Sequence, residues 1–168
     1  MSNTTKTILI LYASQSGTSE YLSSQLYENL KLKLSDIVHN IQCDSIENFE
    51  QYFFNPLQQP TLYLFVISTS MEGSPPSSMS DFSDYISTQK VMTVFSNPNF
   101  EYSIFGNGNS NYEETYQQAS RQFKEVLISK FNRNPLIECR EGDQSEGNAE
   151  SEFEEWESSI IHYFKRDD

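Results

Sequence analysis

The chain has 168 residues, 36% of them apolar and 21% charged, which allows one hydrophobic core and excludes a membrane-embedded or wholly disordered protein. Its formal charge of −13 at pH 7 repels nucleic-acid phosphate and anionic lipid, so neither is expected as a partner, and it favours a basic protein surface, with a charge that only keeps the protein soluble as the alternative. Two cysteines, Cys43 and Cys139, lie far apart with no CxxC or metal spacing, which fits a reducing, intracellular setting.

The polar start, Met1 to Lys6, reads neither as a signal peptide nor as a membrane span, and a cytoplasmic protein is expected. Thr7 to Tyr12 (TILILY) is a nearly continuous apolar run, as in a strand covered on both faces. From Thr18 to Leu34, Leu22, Leu26 and Leu30 recur every four residues and predict a helix with one buried stripe. Ile37 to Cys43 is a weaker strand signal, and Leu62 to Ile67 (LYLFVI) the strongest in the chain. Pro76 to Ile86 reads as a serine-weakened helix. Tyr102 to Phe105 gives a fourth strand. Asn111 to Phe131 gives a helix with Ala119, Phe123, Val126 and Leu127 on one side. Leu136 to Cys139 gives a fifth strand. A last helix, about Glu150 to Phe164, sets Phe153, Trp156, Ile160 and Phe164 at helical spacing.

Strands alternating with helices imply right-handed crossovers. The expected fold is α/β: a doubly wound three-layer sandwich over a five-stranded parallel sheet of order 2-1-3-4-5, in a single domain spanning 1–168. In such sheets the ligand lies beyond the carboxyl ends of the strands, at the switch point between the first and third. That rule selects the loops after Tyr12, Ile67 and Phe105.

The first loop, Ala13 to Glu20 (ASQSGTSE), opens the first helix with hydroxyls at Ser14, Ser16, Thr18 and Ser19 and a glycine at Gly17. Free N–H groups and the helix dipole suit a phosphate there. An ordinary Ser/Thr-capped helix start is the alternative. The loop lacks the lysine of a nucleoside-triphosphate motif and the glycine triplet of a dinucleotide fingerprint. The second loop runs Ser68 to Pro76 (STSMEGSPP) and the third Gly106 to Tyr112 (GNGNSNY). Of six glycines, Gly17, Gly73, Gly106 and Gly108 fall in these loops, where small residues let backbone amides approach a flat ring and Tyr112 can stack on it. Tight turns and a half-exposed helix aromatic are the alternatives. His39 and His162 are isolated, and no nucleophile or acid–base constellation is evident.

The Ser-x-Ser-Gly-x-Ser pattern after the first strand resembles the phosphate loop of flavodoxins. Ser68 to Pro76 and Phe105 to Tyr112 resemble the two flavin loops of diflavin reductases such as sulfite reductase flavoprotein, NADPH–cytochrome reductases and self-sufficient monooxygenases. Gly147 to Trp156 resembles the stretch that opens their last helix. The resemblance covers Thr7 to Phe164 and implies a flavodoxin-like fold with FMN as cofactor. It assigns Ser14, Gln15, Ser16, Gly17, Thr18 and Ser19 to the phosphate. Thr69, Ser70, Met71 and Gly73 fall to one face and edge of the ring; Asn107, Gly108, Asn109, Asn111 and Tyr112 form the other side, with Tyr112 stacked. Ser70 or Met71 stands where several members place a tyrosine, and Met71 where a glycine is usual. The family's acidic residues near the last flavin loop are matched only loosely by Asp143 and Glu146, in a loop one residue longer than the commoner form. A solvated acidic turn is the plainer reading of both, as a solvated face is of Glu150, Glu152, Glu154, Glu155 and Glu157.

The implied function is electron transfer by FMN. An NAD(P)H-dependent flavoprotein reductase is the expected donor, a redox protein the acceptor, and the chain a monomer with no catalytic activity of its own. A receiver domain would need aspartates where Ser14-Gln15-Ser16 and Ser68-Thr69-Ser70 stand. Three alternatives remain: a flavodoxin-like interaction module without flavin, an excised FMN domain of a diflavin reductase, and a flavodoxin-like partner that reduces a metal cofactor in another protein. The start and the end at Lys165 to Asp168 lean toward a free-standing carrier.

Overall fold

The structure, a computed structural model, describes residues 5, 7–53, 57–70 and 72–166. Five parallel strands form one sheet in the order β2-β1-β3-β4-β5: β1 Thr7–Ala13, β2 Asn40–Ser45, β3 Thr61–Ser68, β4 Phe100–Gly108 and β5 Arg140–Asp143. The longer helices are α1 Thr18–Leu34, α3 Ser80–Ile86, α5 Gln118–Ser129 and α6 Ala149–Lys165, and single turns form α2 Glu50–Phe53 and α4 Met92–Phe95.

Alternation along the two central strands sends their apolar residues to both faces. Ile8 and Ile10 of β1 and Leu62, Leu64 and Val66 of β3 pack with Leu22, Leu26, Leu30 and Leu34 of α1. The same layer takes Phe153, Trp156, Ile160 and Phe164 of α6. Leu9, Leu11, Tyr63 and Phe65 face the opposite layer with Phe53, Phe82, Phe95, Phe123 and Leu127. That layer is aromatic: Phe65 and Phe123 meet edge-on at 4.8 Å, a favoured ring geometry. Every residue of β3 is buried, which is why LYLFVI reads so strongly as a strand.

Four expected boundaries move. Leu136 to Cys139 is not a strand: Ile137 is buried in the core and Leu136 N–H reaches Tyr102 O at 2.8 Å, but the fifth strand is the polar Arg140–Asp143. The second strand starts at Asn40 because Ile37 and Val38 donate to Leu34 O (2.9 and 2.7 Å) in the turn that ends α1. The helix expected from Asn111 to Phe131 splits into a 3₁₀ segment, Ser110–Thr115, and α5. Gln117, at φ 58, is left-handed and separates them. β4 runs on to Gly108 and so takes Gly106 and Asn107 into the sheet. Among the described residues no helix is long and apolar enough to cross a membrane.

Candidate functional site

The β1–α1 turn is shaped by one glycine. Gly17 sits at φ 93 with open space where a Cβ would be, so backbone conformation and not crowding requires glycine. Its N–H donates to Ser14 Oγ at 2.8 Å, and its carbonyl accepts the first helical bond from Tyr21 N–H at 3.0 Å. Gly17 itself is the N-cap, and no side chain caps the helix. An ordinary Ser/Thr-capped start is therefore not what the chain builds. The first-turn N–H groups of α1 are left for an outside acceptor. Ser19 is buried, and its hydroxyl is 2.6 Å from that of Ser68, tying the turn to the end of β3.

In the second loop Ser70 N–H donates to Ser74 O and Gly73 N–H to Ser70 O, both at 3.0 Å. Gly73, at φ 87, packs on the Gln118 side chain. Thr69 is anchored twice: its N–H donates to Asn107 O at 3.1 Å, and its hydroxyl accepts Ala119 N–H at 3.2 Å. Met71 lies outside the described residues.

The third loop leaves β4 beside a buried glutamine. A Cβ on Gly108 would come within 2.9 Å of the Gln117 carboxamide, so this glycine makes room for Gln117. Gln117 is fully buried and donates through Nε2 to Gly142 O at 2.8 Å. Asn109 starts the 3₁₀ segment by accepting Asn111 N–H on its Oδ1 at 2.9 Å. Tyr112 follows, 37% exposed.

Asp143 closes the arrangement and is not a solvated turn residue. It is buried, and its Oδ1 accepts Ser110 N–H and Ser145 N–H, each at 2.9 Å. Burial pushes its carboxyl up, but donors from Ser110, Ser145 and Glu146 outweigh that and hold it below the usual carboxylate range. Glu146 is exposed. Of the α6 glutamates, Glu152 accepts from Arg140 at 3.2 Å and Glu157 from Asn29 at 3.0 Å, so that face is only partly solvated.

These loops surround a cleft of about 490 Å³ at the carboxyl ends of β1, β3 and β4, within the range of small-molecule sites. Of the residues expected at a site, Gln15, Ser16, Thr18, Thr69, Ser70, Asn107, Gly108, Asn109 and Tyr112 line it. Ser14, Gly17, Ser19, Gly73 and Asn111 do not; the first four shape or anchor the loops. Ser68, Glu72 and Gln144 line it without having been singled out. Gln144 reaches it because its N–H donates to Gly108 O at 2.8 Å and its Nε2 to Asn107 Oδ1 at 2.7 Å. Glu72 is the charged residue of the lining, and Tyr112 its aromatic one. Among the described residues of the lining, the groups able to hold an anion are N–H and hydroxyl donors. A second groove, about 590 Å³, lies along β5 and α5 and shares no lining residue with the cleft. There Arg121 is paired with Glu141 at 2.6 Å and Arg140 with Glu152 at 3.2 Å.

The profile of the flavodoxin family matches residues 10–156. The chain belongs to the flavodoxin family. FMN is the cofactor of that family, and the cleft has the parts for it: an uncapped helix N-terminus for one phosphate and a tyrosine for one ring. NADPH–cytochrome P450 reductase of Saccharomyces cerevisiae is 29% identical over 95% of this chain. The sulfite reductase flavoprotein alpha-component of Buchnera aphidicola is 26% identical over 92%. The chain spans only 22% and 23% of the length of these two relatives. A flavodoxin mutant from Pseudomonas aeruginosa shares the fold at a TM-score of 0.71 and 19% identity, over 95% of this chain and 99% of that one.

Proposed function

We propose that this chain binds one FMN in the cleft and serves as a one-electron carrier, taking electrons from an NAD(P)H-dependent flavoprotein reductase and delivering them to a redox protein. The uncapped start of α1 at Gly17, beside a cleft lined by Tyr112, carries this reading. Ser16, Thr18 and the N–H groups of the turn hold the phosphate. Tyr112 stacks on the ring, and Ser70, Asn107, Gly108, Asn109 and Gln144 border its edge. Bound FMN supplies the redox chemistry, accepting electrons in a pair or singly. The protein supplies orientation and field: its charge of −13 opposes added negative charge on a reduced ring and lowers the potential of full reduction. We place it in the cytoplasm as a monomer of one domain over 1–168.

An anaerobic reductive titration of the FMN-loaded protein tests the carrier role. Two separated one-electron steps support it; one two-electron step at the potential of free FMN counts against it. A second reading, the flavin segment of a longer reductase, is favoured by the relatives being more than four times longer. Length of the native transcript and product separates the two.

A further inference from the structure

One carboxylate joins the two turns on the far side of the cleft. Asp143 Oδ1 accepts Ser110 N–H from the turn that carries Tyr112, and Ser145 N–H from the turn that carries Gln144, each at 2.9 Å. Its partners are N–H and hydroxyl donors rather than a cation. The Tyr112 turn does not rest in a relaxed conformation: Glu113 lies at φ 44, ψ −101, and Gln117 at φ 58. Non-glycine residues stay in such regions only where the surroundings over-determine them. Two bonds to the β5 end do this: Asp143 takes Ser110, and Gln117 Nε2 donates to Gly142 O at 2.8 Å. Gln117 holds the end of the strained segment that leads into α5; Asp143 holds the start, two residues before Tyr112.

We propose that Asp143 is the positioning residue of the cleft: its carboxylate latches the Tyr112 turn to the Gln144 turn and so sets the tyrosine ring where the isoalloxazine stacks. This rests on the reading that the cleft holds FMN. The latch works by hydrogen-bond geometry. Because one oxygen accepts both N–H groups, Asp143→Asn keeps both bonds, whereas Asp143→Ala loses both.

The test compares amide exchange at Ser110 and Ser145 in FMN-free protein, followed by FMN titration of the same samples. With Asp143→Ala, both amides exchange about tenfold faster or more and FMN binds about tenfold more weakly, as expected for two lost charge-assisted bonds. Asp143→Asn stays within about threefold of wild type on both readouts, since neutral acceptors retain much of the bond. If Asp143→Ala does not fold, Ser110→Pro removes the Ser110 donors, N–H and hydroxyl, and leaves the Ser145 bond, at a first helical position that follows extended Asn109 (φ −141, ψ 114) and accepts proline. FMN affinity then falls while Ser145 stays protected. Wild-type exchange and affinity in Asp143→Ala, or an Asn variant as impaired as the Ala variant, overturns the latch. A wild type that ignores FMN while its amides still depend on Asp143 overturns the proposed function and leaves the latch standing.

Discussion

Tyr112 is the one aromatic side chain among the described residues of the cleft, and Ser68 to Pro76 contributes none by sequence. Among the described residues, Tyr112 is the stacking partner available to a flavin held there. An aromatic pair is worth about 0.5–1.5 kcal/mol beyond buried area. Tyr112→Ala is expected to weaken FMN binding about two- to thirteenfold in a fluorescence-quenching titration, with stability unchanged because the ring is half-exposed. Asp143 adds a pH dependence. Its folded pKa is depressed, so its stabilisation is present above the unfolded value of about 3.9 and is lost as pH falls through the folded value. Urea midpoints of wild type should therefore fall more steeply than those of Asp143→Asn below about pH 4. The roles of these two residues were unequally legible. Tyr112 announces itself as an aromatic in a Gly/Asn loop, whereas Asp143 sits in Gly142-Asp143-Gln144-Ser145-Glu146, and a polar residue among polar neighbours gives no sign of burial.

Periodicity revealed elements where one face is apolar throughout. The Leu22, Leu26, Leu30 stripe gave α1 its limits, and LYLFVI gave β3. It failed where apolar residues bury without laddering and where the ladder is polar. Leu136 and Ile137 carry the hydrophobic signal, but Arg140–Asp143 carries the hydrogen bonds to Phe105–Gly108, as an edge strand at the ligand end can. Gln117 was equally silent, because nothing in Tyr116-Gln117-Gln118 marks a left-handed break. The seat of β5 is tight. A Cβ on Gly142 would lie 2.8 Å from Phe105 Cζ and 2.9 Å from Ala149 Cα. Overpacking of this kind costs about 1–3 kcal/mol. Gly142→Ala should lower the urea midpoint accordingly, with the slope unchanged.

For the whole molecule the sheet order and the switch-point rule located the cleft before any motif did, since the parallel order puts the ends of β1, β3 and β4 together. The charge of −13 acts at this scale too. If the partner surface is basic, stopped-flow electron-transfer rates should fall steeply between low and high ionic strength, because the Debye length shrinks from about 30 Å at 0.01 M to about 3 Å at 1 M. A rate indifferent to salt would remove charge steering from the account. Independently of any partner, the uncapped α1 turn and the Tyr112 wall are proposed to make an FMN site. Titrating the purified chain into FMN and following flavin fluorescence tests it most directly. The expected result is quenching that saturates at one FMN per chain and weakens when Tyr112 is replaced; unquenched FMN at every protein concentration contradicts it.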